Sequence, residues 1–232
     1  MESYDFGIVG LGVMGRNLLL NMADHKFAVA GLDLDTEKAA SLEAEAGPKH
    51  QIKATTDAAT FVASIRKPRA IMLLVPAGKP VDSAIESLLP HLEEGDILVD
   101  GGNSYFPDTE RRYTWLSEKN IHFFGMGISG GEKGARFGPS MMPGGDEVAY
   151  ERLRPIFEAI SAKVNGDPCV AYLGSGSAGN YVKMVHNGIE YGIMQLLAEV
   201  YDLMKRGAGI ADDKIQQTIA SWNDTELQSF LV

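Results

Sequence analysis

The sequence predicts an α/β protein: a doubly wound, mainly parallel sheet over residues 1–176, followed over residues 177–232 by the start of an all-helical second domain. Three observations carry this. A short apolar strand runs straight into a glycine-rich turn and a helical pattern near the N-terminus. Short apolar strands then alternate with helical patterns as far as Met126, the order that builds a parallel sheet with helices on both faces. Last, the run NYVKMVHNGIEYGIMQLLAEVYDLMK repeats apolar residues at helical spacing without a strand signal.

Taken in order, a strand at residues 5–10 leads into Gly10, Leu11, Gly12, Val13, Met14 and Gly15. In this GxGxxG pattern Gly10 permits the tight turn, Gly12 lets a pyrophosphate approach the backbone, and Gly15 allows the helix to pack closely on the sheet. The helix N-terminus favours the anion. Glycine is frequent in this chain, at 26 residues, so the match gains its weight from context. That context is a second strand at 27–32 ending in Asp33, where a carboxylate receives the ribose hydroxyls of a dinucleotide, as in Rossmann-type domains. Asp33 could instead cap the helix that begins near Thr36, but Asp35 is better placed for that task.

The alternation continues with a helix at 57–64, a buried strand at 70–75, a helix at 81–91, a strand at 96–100, a helix at 108–119 and a strand at 121–126. Residues 138–146 read as a loop before a helix at 150–160, and strands around Val164 and Val170 are expected to finish the sheet. Ligands of such sheets lie beyond the carboxyl ends of the strands. There the sequence places Val75-Pro76-Ala77, Gly101-Gly102-Asn103-Ser104 and Gly127-Ile128-Ser129-Gly130-Gly131. The last two offer backbone N–H groups, an amide and a hydroxyl, a set suited to a carboxylate or to sugar hydroxyls, although turns use the same residues.

A formal charge of −10, with 21 scattered basic residues, argues against nonspecific nucleic-acid binding. A lone cysteine, Cys169, leaves no intramolecular disulfide and fits a reducing cytoplasm, and no metal-ligand spacing occurs. The N-terminal segment, with Glu2 and Asp5, is neither a secretory signal nor long enough to span a membrane.

Lys183, His186, Asn187, Glu190 and Tyr191 stand at i, i+3, i+4, i+7 and i+8, so a helix gathers them on one face. An amine that can lose a proton and a carboxyl that can give one are then roughly 10 Å apart along the axis, room for a substrate several carbons long. A solvated stripe is the plain alternative. Against it, the helix is apolar on more than one side from Ile189 onward, which predicts burial nearly all round, and charges at a buried helix cost free energy unless a ligand uses them. His25, His50, His91 and His122 lack partners in the local sequence and are expected to serve packing or solvation; only His186 has chemical company.

GLGVMG at 10–15, DGGNS at 100–104, GISGGEKGARFGPSMMPGG at 127–145 and KMVHNGIEYG at 183–192 together resemble 6-phosphogluconate dehydrogenase, of the β-hydroxyacid dehydrogenase superfamily. The resemblance implies metal-free oxidative decarboxylation of 6-phosphogluconate to ribulose 5-phosphate and carbon dioxide, and the long apolar helix leads to the expectation of a homodimer or an exposed apolar surface. The resemblance makes Lys183 the general base for the C3 hydroxyl and Glu190 the acid that protonates the enediol. It gives Asn103, Ser129, Gly130, Gly131, His186, Asn187 and Tyr191 to the substrate. To the cofactor it gives residues 10–15, Asp33 with Leu34 and Asp35, Val75, Pro76 and Ala77, and Asn103 again. The base must act uncharged, against an ordinary lysine value of about 10.4, so burial is expected to depress it.

Two departures matter. NADP-using members carry Asn-Arg-Thr where this chain has Asp33-Leu34-Asp35, and a lysine where it has Pro76. A carboxylate about 4 Å from a 2′-phosphate opposes it by roughly 1–4 kcal/mol, about tenfold to several hundredfold in affinity, so NAD is expected over NADP. The family also continues well beyond position 232, which implies that this is its N-terminal portion, with the cover of the apolar helix lying outside. Two other readings stay open: a dehydrogenase for another β-hydroxyacid such as 3-hydroxyisobutyrate, which would release no carbon dioxide, and a module that binds NAD without turnover.

Overall fold

In a computed structural model, which describes residues 3–232 and so leaves Glu2 outside, the chain begins β1 (Phe6–Val9), α1 (Val13–Asp24), β2 (Val29–Leu32), α2 (Thr36–Ala46) and β3 (Ile52–Thr55). It continues α3 (Ala58–Ser64), β4 (Ala70–Leu73), α4 (Lys79–Leu88), β5 (Ile97–Asp100), α5 (Phe106–Ser117) and β6 (His122–Ser129). Then come α6 (Gly131–Phe137), β7 (Ser140–Gly144), α7 (Glu147–Ile160), the short pair β8 (Lys163–Val164) and β9 (Asp167–Pro168), α8 (Ala178–Asp202) and α9 (Asp212–Trp222).

The seven-stranded sheet has the order β3-β2-β1-β4-β5-β6-β7, parallel except for β7. The chain winds outward through β2 and β3, then returns to lay β4 on the other side of β1. This reversal opens the crevice in which doubly wound sheets bind ligands. Both faces of β1, β2, β4 and β5 are buried, so their apolar residues run without polar alternation. Phe6, Ile8, Met72, Ile97 and Val99 meet Leu18, Leu19 and Met22 of α1 and Leu153 and Phe157 of α7. Val9, Ile71, Leu73 and Leu98 meet Phe61, Val81, Ile85 and Leu116 on the opposite face. Helix starts follow their capping residues: Asp35 accepts from the Glu37 and Lys38 N–H groups, as expected, and Asp57 accepts from Thr60.

Several expectations are corrected. β6 runs on to Ser129 rather than ending at Met126, because residues 140–144 pair antiparallel along its second half. The segment 138–146 is therefore largely a strand. Pro143 disguised it, and is tolerated because β7 closes the sheet at an edge. α6 and β3 were not anticipated; β3 is a short, half-exposed edge strand without a clear period. The strands near Val164 do not finish the sheet. β8 and β9 pair with each other across Asn165-Gly166, both left-handed as a tight hairpin turn demands, and Val170 adds only one bridge to Met141.

The chain divides into two units, with the boundary between Lys183 and Met184 inside α8. In the first unit the opening turns of α8 press on the sheet at Gly179, where a Cβ would collide with the carbonyl oxygens of Gly125 and Met142. The expected burial of the helix nearly all round does not occur. Its buried residues are Gly179, Asn180 and Lys183, whereas Ile189, Ile193, Met194, Leu196 and Val200 are exposed. Burial needs a covering surface, and Ile215 of α9 is the one buried apolar side chain among the described residues of the second unit. No helix among the described residues is long and apolar enough to cross a membrane.

Alanine at Gly179 tests this packing against helix propensity. Propensity favours alanine by up to about 1 kcal/mol, but a methyl forced against two backbone carbonyls costs about 1–3 kcal/mol. Gly179→Ala should lower the urea midpoint, and Gly192→Ala, where nothing lies within 4 Å of the new Cβ, should hold or raise it. Equal responses of the two variants would contradict the close approach of α8 to the sheet.

Candidate active site

The first strand end is built from backbone groups. Gly10 has φ +93°, and its N–H donates to the Leu32 carbonyl at 2.8 Å, extending the β1–β2 ladder by one rung. Gly15 packs on the Gly10 carbonyl, where a Cβ would collide. Gly12 is the N-cap of α1 and brings no side chain to its first-turn N–H groups, and nothing lies within 4 Å of a Cβ built there. Such an end is a ready anion site. Asp33, at the end of β2, accepts from the Leu11 N–H at 2.7 Å with Oδ2 and from the Asp35 N–H at 3.0 Å with Oδ1. It thus pins the glycine turn to the neighbouring strand while keeping about half of its four lone-pair sites. Lys38, which the sequence reading did not single out, stands 3.8 Å from Asp33 and 3.9 Å from Asp35. Leu34 points into solvent.

The loops after β4 and β5 share one buried cation. Arg112 of α5 is 0% exposed; its Nε donates to Asp82 at 2.8 Å, an Nη donates to the Gly78 carbonyl at 3.0 Å, and the other Nη approaches Asp100 at 3.4 Å. Asp100 in turn accepts from the Ser104 hydroxyl at 2.6 Å and from the Gly102 N–H at 3.1 Å. Burial pushes the Asp100 carboxyl up, against the pull of Ser104, Gly102 and Arg112. The Arg112 hydrogen bond holds Asp82 below the ordinary carboxylate value, against partial burial and with help from Arg111. Val75-Pro76-Ala77 and Gly101-Gly102-Asn103 are thereby held from below by one network, and Asn103 is exposed above it. In the sequence Arg112 sits in ERRY on a polar helix and reads as a solvated face. No local signal reveals a burial whose partners lie 30, 34 and 12 residues away.

At the end of β6, Ser129 is half-buried in the strand itself, and Gly130 and Gly131 follow with φ of +121° and +58°. Of the GISGG run, then, only Gly130 lies between β6 and α6, which Gly131 opens. Lys183 is 7% exposed, and its stem lies against Gly127, where a Cβ would come within 2.6 Å of the Lys183 Cβ. Asn180, also unremarked in the sequence, accepts from the Thr109 hydroxyl at 2.9 Å and donates to the Gly102 carbonyl at 3.2 Å. The first unit therefore gathers the glycine turn, Asp33, residues 75–77, Asn103, residues 129–131 and Lys183 at the carboxyl ends of neighbouring strands.

In the second unit His186 Nδ1 lies 3.1 Å from Asn187 Oδ1 and 3.6 Å from Glu190 Oε2. The His186–Glu190 pair is an i, i+4 contact on one face of the helix, longer than a hydrogen bond. Tyr191 is 70% exposed. Of the other histidines, His25 Nδ1 lies 2.9 Å from the Asn21 carbonyl, His122 Nδ1 3.8 Å from Asp146, and His50 Nε2 3.0 Å from Asp24, a carboxylate that also pairs with Arg136. These contacts lie at helix ends and serve structure.

Residues 5–174 match the family model described as the NAD binding domain of 6-phosphogluconate dehydrogenase, and residues 179–232 match that of its C-terminal domain. The chain is 51% identical over 230 residues to the decarboxylating 6-phosphogluconate dehydrogenase 1 of Saccharomyces cerevisiae, covering 99% of this chain and 47% of that one. It is 50% identical over 232 residues to the enzyme of Chlamydia muridarum, covering 100% and 48%. The structure of Plasmodium falciparum 6-phosphogluconate dehydrogenase, described with NADP+ and with 6-phosphogluconate, superposes with a TM-score of 0.94 at 42% identity, covering 98% of this chain and 49% of that one. The chain thus spans about half the length of the relatives it matches.

Removing the buried cation should be costly. Arg112→Met leaves Asp100 without its counter-charge and Asp82 with Arg111 alone, and urea unfolding should show a loss of about 3–5 kcal/mol; a loss under about 1 kcal/mol, the ordinary surface range, would contradict the network. The acid limb follows from Asp82. Its folded value is lowered, so its stabilisation is complete above the ordinary 3.8 and is lost as pH falls through the folded value. The stability gap between the native chain and Asp82→Asn should stay level above 3.8 and close below it; a gap that persists in acid would refute the pairing.

Proposed function

The chain belongs to the 6-phosphogluconate dehydrogenase family, and from that premise we propose that it serves oxidative decarboxylation of 6-phosphogluconate to ribulose 5-phosphate and carbon dioxide. The single observation that carries the proposal is Lys183, an amine buried on α8 with its stem against Gly127, on the strand that leads to Ser129, Gly130 and Gly131. We read residues 1–176 as the nucleotide domain and 177–232 as the opening of the helical one.

The residues present fit a dinucleotide: the uncapped N-terminus of α1 with open space at Gly12 suits a pyrophosphate, and Asp33 keeps acceptor capacity for ribose hydroxyls. Bound there, a nicotinamide supplies the hydride acceptor. Lys183 removes the proton from the substrate C3 hydroxyl as that carbon is oxidised, which makes a β-keto acid able to lose carbon dioxide. Glu190, steadied by His186, gives a proton to the resulting enediol. Asn103, Ser129, Gly130, Gly131, Asn187 and Tyr191 orient the substrate, and no step asks for a metal.

Asp33 supports NAD over NADP. Lys38, within 4 Å of both acidic side chains, offsets part of their repulsion toward a 2′-phosphate. This places the discrimination near the lower end of the electrostatic range, about tenfold. The exposed apolar residues of α8 support a homodimer, since patches of this kind rarely stay bare.

Incubation with 6-phosphogluconate and NAD should yield NADH and carbon dioxide together; NADH without carbon dioxide would favour another β-hydroxyacid, and NAD binding without NADH a silent module. Lys183→Ala should abolish hydride transfer while leaving NAD affinity within a few fold, and parallel loss of both would remove Lys183 from the chemistry. The ratio of kcat/KM for the two cofactors should favour NAD, and further so in Lys38→Ala; an NADP preference of about tenfold or more, worth roughly 1.4 kcal/mol, would overturn the role of Asp33. Light scattering should show a dimer at micromolar concentration, and a clean monomer would refute that part.

A further inference from the structure

Asn180 lies in the first turn of α8, 2% exposed, and spends both ends of its amide on other elements. Oδ1 accepts from Thr109 on α5, and Nδ2 donates to the carbonyl of Gly102 in the loop after β5. Oδ1 fills the space that a side chain at Gly125 of β6 would need, since any Cβ there would collide with it. Three residues on, one helical turn further, comes Lys183, whose stem rests on Gly127, two residues beyond Gly125 on the same strand. Gly125 pairs with Asp100, the last rung of the β5–β6 ladder and two residues before Gly102. The residue after Gly102 is Asn103.

A buried amide needs partners, but water or its own helix could satisfy it. Here one partner is the loop carbonyl that immediately precedes Asn103. We propose that Asn180 is a positioning residue: its hydrogen bond to Gly102 sets the distance between the helix turn that carries Lys183 and the loop that carries Asn103. It touches neither substrate nor cofactor. It keeps the proton acceptor in register with the group that orients the substrate, and it rests on the reading of Lys183 and Asn103 given above. Where a base must meet a hydroxyl at hydrogen-bond length, a misplacement of about 1 Å can cost about a hundredfold in rate.

Asn180→Asp keeps the shape and the acceptor for Thr109 but sets an oxygen where the amide NH2 met the Gly102 carbonyl. In the 232-residue chain, kcat for 6-phosphogluconate should fall about a hundredfold while KM and the NAD dissociation constant change by less than about threefold. A kcat within about threefold of native, or a kcat and NAD affinity that decline together, would overturn the proposal. Hydrogen exchange supplies a readout independent of turnover. In Asn180→Asp, or in Asn180→Ala if the first does not fold, amides of residues 101–105 should exchange about tenfold faster while those of β4 do not change. No change at 101–105, or an equal rise in both segments, would overturn it. If the native chain gives no NADH from 6-phosphogluconate, the functional reading fails, and the exchange result still decides the role of Asn180.

Discussion

The ligand-facing half of the sheet depends on the buried guanidinium of Arg112. An ion in the interior costs several kcal/mol of desolvation, so it persists only where its partners repay that cost. Here they are two carboxylates and a carbonyl, drawn from α4, from the end of β5 and from the turn before α4. A rigid fork of donors fits such a set, as the single charge of a lysine would not. The two loops after β4 and β5 therefore hold one geometry between them. Asp100 carries that geometry on to Ser104 and Gly102, and Asn180 carries it from Gly102 to α8.

This arrangement bears on how a chain of net charge −10 can suit anionic ligands. The groups offered to a phosphate are backbone N–H dipoles at a helix start and at left-handed glycines, whose fields do not depend on the overall charge. Close to the site, charge is set by local pairs. Asp33 is a lock on the glycine turn with lone pairs to spare, and Lys38 in the first turn of α2 stands beside it. Both parts of the Asp33 role follow from a carboxylate having more lone pairs than the two backbone donors can fill.

α8 shows the limit of arguing from composition. Its opening turns are fixed to the sheet because Gly179 and Gly144 allow backbone to approach backbone, and this is what buries Lys183. Further along, the same apolar richness meets no cover, and residues such as Leu196 stand 63% exposed. A helix that is apolar all round states a demand for partners; whether the demand is met is a property of the surrounding surfaces.

The alternation of strand and helix, the glycine turn closing on β1, the capping role of Asp35 and the gathering of three loops at the strand ends were all legible in the sequence, because each rests on local periodicity or on a residue's own backbone preference. Where local patterns were weak or masked the reading failed: Pro143 hid an edge strand, the short β3 lacked a period, and the Asn165-Gly166 turn diverted the chain from the sheet. Arg112 and Asn180 escaped notice for a different reason. Their roles come from partners tens of residues away or from another element's empty glycine position, and no single stretch of sequence contains both halves of such a contact. The sequence by itself determined which elements form and which chemical groups stand at their ends. Only the tertiary structure decided which of those groups are buried, paired and held at fixed spacing, because desolvation and long-range hydrogen bonding exist only once the elements have packed.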